Sequence, residues 1–133
     1  MLALYEALRP HIPDALFVTD SDGRIIHWNE GAESTLGHAA ADALGRSLLD
    51  LVVTPERTDE HFHLAAAVHS DGQARAEAVM RCRDGSLIHV DVLGRQIEAV
   101  GAGCILWSAR DITQLKVRHG TARPGAGLGL YLS

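Results

Sequence analysis

Apolar and polar positions alternate along this chain in short stretches whose period keeps changing. Leu2, Tyr5, Leu8 and Ile12 recur at helical spacing with Glu6 and Arg9 between them until Pro10 and Pro13 break the run, so residues 1–12 read as a short amphipathic helix. Residues 15–19 are a compact apolar run. Asp20, Ser21, Asp22 and Gly23 supply turn chemistry, and residues 24–28 form a second β-rich run, which together predict a β-hairpin. Residues 29–43 are rich in Ala, Glu and Leu and are punctuated by Gly31, Gly37 and Gly45, a pattern of short helices. Residues 47–53 fit either another helical turn or an extended apolar link.

The longest helical signal opens at Thr54 as N-cap, with Pro55 at the first helical position and Glu56 where the helix dipole favours an acid; it runs to about Ser70, and Asp71 with Gly72 stops it. Phe62, Ala65, Ala66 and His69 share one face of this helix, and His61, Leu64 and Val68 an adjacent stripe. Three extended segments follow, residues 74–83, 86–99 and 104–112, separated by turns at Asp84–Gly85 and at Gly101 to Gly103. In the middle one Ile88, Val90 and Val92 alternate with His89, Asp91 and Leu93, so the first set packs inward; Ile105 and Trp107 share a face of the last. The order predicts an α+β domain with one five-stranded antiparallel sheet, and short helices plus one longer helix on one face. Residues 13–115 form that domain. After Lys116, Gly120, Pro124, Gly125, Gly127 and Gly129 remove any core-facing period, so 116–133 read as a flexible Gly-rich tail.

Composition narrows the function classes. The chain has 133 residues, one domain's worth, and 12 Lys plus Arg against 17 Asp plus Glu give a net charge of −5, which leaves no basic field for direct nucleic-acid binding or an anionic membrane surface. No apolar run is long enough to span a bilayer, and the N-terminus lacks the organisation of a secretory signal. Two cysteines allow at most one bridge, so the expectation is a reduced, cytoplasmic protein. Eight histidines against two Phe, two Tyr and two Trp make ligand or pH chemistry worth testing. No nucleophile–base set, carboxylate pair or phosphate loop stands out, and no catalytic role is expected.

Three stretches carry a family resemblance: DALFVTDSDGRIIHWNEGAESTLG (residues 14–37), RDGS (83–86) and RDIT (110–113). In this order and spacing they resemble a PAS domain, the sensory module of bacterial signalling proteins, over about residues 13–115. The resemblance implies a sheet and long helix enclosing a small-molecule pocket, with signal passed by dimers to a histidine kinase or transcription regulator. It implies that Asn29 ties the first helix to the hairpin and that Asp111 and Thr113 anchor the exit helix; each also reads as an ordinary cap. The pocket expected from the aliphatic faces is lined by His61, Leu64, Val68, Ile88, Val90, Val92, Ile105 and Trp107. Leu2, Leu4, Tyr5 and Leu8 motivate a homodimer, since so short a helix cannot bury its stripe alone.

For cofactors, the family's flavin photoreceptors carry a reactive cysteine where this chain reads Gly45, Arg46, Ser47, Leu48, Leu49, so covalent flavin chemistry is excluded. Cys82 and Cys104 fall on strands as small hydrophobes. In the haem-binding branch a proximal histidine sits on the long helix, and counting back from Gly72 places His61 there. The alternative reading is therefore a haem-based redox or gas sensor with His61 as axial ligand, with Arg75 and Arg81 the offset candidates for steadying bound oxygen. Against it, His61, His63 and His69 beside Asp59 and Glu60 also read as residues of a partly exposed helix. GAGLGLYLS (125–133) is similar to the ATP-lid segment of histidine kinases, without the rest of such a domain.

Overall fold

The computed structural model describes residues 14–118. The amphipathic helix expected at residues 1–12, its proposed dimer role and the ATP-lid-like segment at 125–133 lie outside the described residues.

Strands β1 (Ala15–Thr19) and β2 (Ile25–Trp28) form the expected hairpin, with Phe17 opposite Trp28. The turn between them is built by Asp20, whose Oδ1 accepts from the backbone N–H groups of Asp22 and Arg24. Three short helices follow: α1 (Glu30–Leu36), α2 (Ala40–Ala43) and α3 (Leu48–Val52). The open choice at residues 47–53 is thus settled as a helical turn. The Glu33 carboxylate of α1 accepts from Ala40 N at 2.7 Å and so caps α2, which has no cap of its own.

The long helix begins later than its sequence suggests. Pro55–Arg57 is a 3-10 turn, and α4 proper spans Thr58–Asp71. The Thr54 hydroxyl caps nothing because it accepts from Arg57 Nη1 at 3.1 Å. The Thr58 hydroxyl bonds back to the Pro55 carbonyl at 2.9 Å. Gly72, at φ +86°, ends α4 with its N–H on the Val68 carbonyl.

Strands β3 (Gln73–Arg81), β4 (Leu87–Gln96) and β5 (Ile105–Asp111) form the antiparallel meander, and the sheet order is β2-β1-β5-β4-β3. Cys82 and Cys104 stand one position outside β3 and β5 rather than on them, and both are free. One sheet face carries the core: Phe17, Ile105, Trp107, Val90 and Val92 meet Val68 of α4 and Leu36, Leu48 and Val52 of the short helices. A last helix, α5 (Thr113–Arg118), leads out of β5. It crosses the boundary expected at residue 116, and Lys116 is buried against the domain rather than opening a tail.

Candidate functional site

The period of α4 decides what faces the sheet. His61, Leu64, Ala65 and Val68 turn inward at i, i+3, i+4 and i+7, whereas Phe62 is 55% exposed. Between this stripe and the sheet lies a cavity of about 60 Å³, bounded by His61, Leu64, Val92, Trp107 and the small inward side chains of β3, Ala76 and Ala78, with Met80. Space of that size takes roughly four water molecules. Of the eight expected lining residues, His61, Leu64, Val92 and Trp107 meet there. Val68 and Val90 are fully buried in the core, Ile105 faces a separate groove, and Ile88 lies near Cys82 at the other end of the sheet. The sequence reading placed a strand at residues 74–83 but left its side chains out of the lining, although Ala74, Ala76 and Ala78 alternate visibly with Arg75 and Glu77.

Trp107 makes the cavity small. Its ring lies on Gly94, where an added Cβ would come within 2.8 Å of both Cζ3 and the Val68 methyl, and its indole N–H donates to Thr19 Oγ1 at 3.0 Å. His61 packs against it with ring centroids 5.5 Å apart. Burial pushes the His61 pKa down, favouring the neutral form of the imidazole at the cavity wall.

The opposite sheet face carries a second group of buried polar side chains. Glu77 of β3 forms an ion pair with Lys116 of α5, whose side chain is 3% exposed, and His89 of β4 is buried. The backbone of His89 bonds the exit: its N–H donates to Thr113 Oγ1 at 2.9 Å and its carbonyl accepts from Ile112 N at 2.8 Å. Asp111 Oδ1 accepts from Thr113 N at 2.9 Å. Burial first, then the Lys116 charge, lowers the His89 pKa.

A sequence model of the PAS fold matches residues 3–112. The chain belongs to the PAS family. Among curated proteins it is similar to an uncharacterized protein of Azorhizobium caulinodans, 26% identical over 105 residues; the alignment covers 75% of this chain and 14% of that protein's length. Among solved structures it is similar to the PAS domain of a protein from Colwellia psychrerythraea, at 28% identity and a TM-score of 0.75 over 85% of this chain and 98% of that one. It is also similar to the PAS domain of an HTR-like protein from Haloarcula marismortui, at 29% identity and 0.69 over 84% and 91%. A domain of a sensory box sensor histidine kinase/response regulator from Geobacter sulfurreducens shares the fold at 24% identity and 0.65, over 83% and 93%. The chain is thus a sensory and signalling domain, of a family whose members are generally not catalysts themselves.

Within this PAS domain Asn29, Asp111 and Thr113, expected to carry the signal, are placed as caps and ties. Asn29 is buried; its Oδ1 accepts from Ala32 N at 2.8 Å, capping α1, and from Leu16 N at 2.9 Å, fixing α1 to β1. Asp111 and Thr113 join α5 to β4, as described above. The residues at His61 do not fit haem. The cavity beside it is about 60 Å³, well below the roughly 300–1,000 Å³ of pockets that hold even drug-sized ligands, and Trp107 stands against the imidazole. Nor do the expected arginines reach the site: Arg75 pairs with Asp91 at 3.0 Å, and Arg81 donates to the Asp50 carbonyl at 3.0 Å. No described helix is long and apolar enough to cross a membrane.

Proposed function

We propose that this PAS domain binds a small molecule between α4 and the sheet and relays its occupancy through β3 and α5 to a histidine kinase or transcription regulator. One observation carries the reading. Strand β3 turns Ala76, Ala78 and Met80 to the cavity, and between them Glu77 pairs with buried Lys116 of the exit helix, so a displacement of β3 reaches α5 directly. The similarity to a domain of a sensor histidine kinase supports the choice of effector.

The test is native mass spectrometry of the purified chain. A bound small molecule is expected to travel with the wild-type protein and to be lost from Ala78→Leu, whose larger side chain fills the cavity; no bound mass in the wild type, or equal occupancy in both, overturns the reading. The module acts in the cytoplasm as a homodimer in this proposal, supported by the apolar spacing of Leu2, Leu4, Tyr5 and Leu8. Removing residues 1–12 should then give a monomer in light scattering, and an unchanged dimer mass sinks that assignment.

A further inference from the structure

His61 and Trp107 border two spaces at once. One is the inner cavity of about 60 Å³. The other is a groove of about 310 Å³ along the flank of α4, between the Asp20 turn, Ser47, the sheet residues Ile105 and Trp107 and the helix face bearing Phe62 and His69. The two rings, tilted by 38°, stand between these spaces.

The two rings are not held alike. Trp107 is fixed by its bond to Thr19 and by its seat on Gly94. The imidazole of His61 has no hydrogen bond to any described residue and is partly exposed, so only packing holds it against the indole. A movable ring wedged against a fixed indole occupies the place where a ligand's ring would stack. Cavity and groove share these two rings as a common wall, and their volumes together fall in the size range of small-molecule sites.

Charge decides what kind of ring. Among the described residues, the groove is lined by Asp20 and Asp22 and by no lysine or arginine. Arg57, at the inner cavity, is engaged by Thr54 and Glu56. An anionic head would lie beside carboxylates without a free cation, whereas a neutral or cationic head meets no such repulsion, and the indole face favours a cation.

We infer that the groove and the inner cavity are two halves of one binding site for a planar aromatic ligand with a neutral or cationic head, which displaces His61 from Trp107 and stacks there in its place. This rests on the small-ligand reading above and names the ligand's class.

Three probes with one ring and three heads test it: 2-phenylethanol, phenethylamine and phenylacetate, titrated into the full ¹⁵N-labelled chain. The readout is the indole N–H resonance of Trp107, identified by its loss in Trp107→Phe, with that of Trp28 as internal reference. The alcohol and the amine should shift the Trp107 signal saturably, with phenylacetate about tenfold weaker or more. His61→Ala should bind both several-fold more tightly because no imidazole has to leave, and His61→Phe, which keeps a ring on the indole, more weakly. A Trp107 signal unmoved by amine and alcohol in both wild type and His61→Ala overturns the inference, as does equal binding of phenylacetate. A co-purified molecule that binds without moving the Trp107 signal also overturns it while leaving the sensor reading intact; absence of any co-purified molecule, with the probes binding as described, leaves this site standing and removes the occupancy reading.

Discussion

Gly94 and Gly31 are both places where a missing side chain lets two elements meet, but they should respond differently to substitution. A Cβ on Gly94 would meet the Trp107 ring and a Val68 methyl at 2.8 Å, buried side-chain atoms that can shift only by disturbing their own packing. One on Gly31 would meet the backbone oxygen of Asp14 at 2.1 Å, which cannot turn aside without moving β1. Gly94→Ala should therefore cost about 1–3 kcal/mol, the range for overpacking a core, and Gly31→Ala more. Urea denaturation of the two variants checks the order, and a smaller loss for Gly31→Ala contradicts it. Histidines make the second prediction at this scale. Burial lowers the pKa of His38, His61 and His89 from the ordinary 6.5; Arg83 and Arg46 add to the effect at His38, and Lys116 at His89. The unfolded chain then takes up protons near 6.5 that the folded chain refuses, so stability falls as pH drops through 6.5 and levels off once the folded-state histidines titrate too. Asp91, held down by its hydrogen bonds to Arg75, and Asp84, held down by Ser86, add a separate loss below 3.8. The urea midpoint should be lower at pH 5.5 than at 7.5; equal midpoints would show that the burial of these imidazoles has no energetic consequence.

Asn29 acts between elements, since one carboxamide oxygen serves both the first turn of α1 and the N–H of Leu16 in β1. Asn29→Ala removes a cap worth about 1 kcal/mol and strands a strand amide at about 1–3 kcal/mol more, while Asn29→Asp keeps both acceptor bonds. Denaturant unfolding should rank Ala well below Asp, and equal losses would mean that the oxygen is not what holds α1 to the hairpin. The tie to Leu16, across 13 residues, was implied only by the family resemblance, whereas the cap was legible in the sequence because it is local, Asn before a helical stretch being a cap whatever the fold. The strands were legible for the same reason, period-2 runs closed by Asp-Gly turns, and so was the stop of α4 at Gly72. What the sequence did not disclose depends on residues far apart in the chain. The Thr54 cap fails because Arg57 takes its hydroxyl, a competition that spacing alone does not resolve. His89 looked like the solvent half of an alternating strand and is buried, because α5 returns over that face. The size of the cavity follows from Trp107 lying on Gly94, a contact across two strands. Its β3 wall did have a signal, the alternating alanines, and was passed over because alanine carries no chemistry of its own.

The sheet order sets how the whole molecule carries a displacement from one face to the other. β3 is an edge strand, hydrogen-bonded within the sheet to β4 alone, so it is freer to shift than the strands held on both sides. Its inward alanines touch the cavity and its outward Glu77 holds Lys116, while α5 is also fastened at its start by His89 of β4. An occupant that moves β3 against β4 therefore pulls on two points of the exit helix that belong to different strands, and the helix must follow or lose one of them. Lys116→Met alone leaves Glu77 without this cation and should cost stability near the low end of the roughly 3–5 kcal/mol seen on breaking buried pairs, because Glu77 retains a 24% exposed side chain. The double variant Lys116→Met, Glu77→Met should recover much of that loss, since two apolar chains replace the pair. It should also cut the path. Hydrogen exchange at the Lys116 amide, which donates to the Ile112 carbonyl at 3.0 Å, should change when Ala78→Leu fills the cavity in the otherwise native chain, and should no longer change in the Met–Met background. The same response in both backgrounds would place the coupling in the His89 and Thr113 junction and leave the Glu77–Lys116 pair a purely structural clasp.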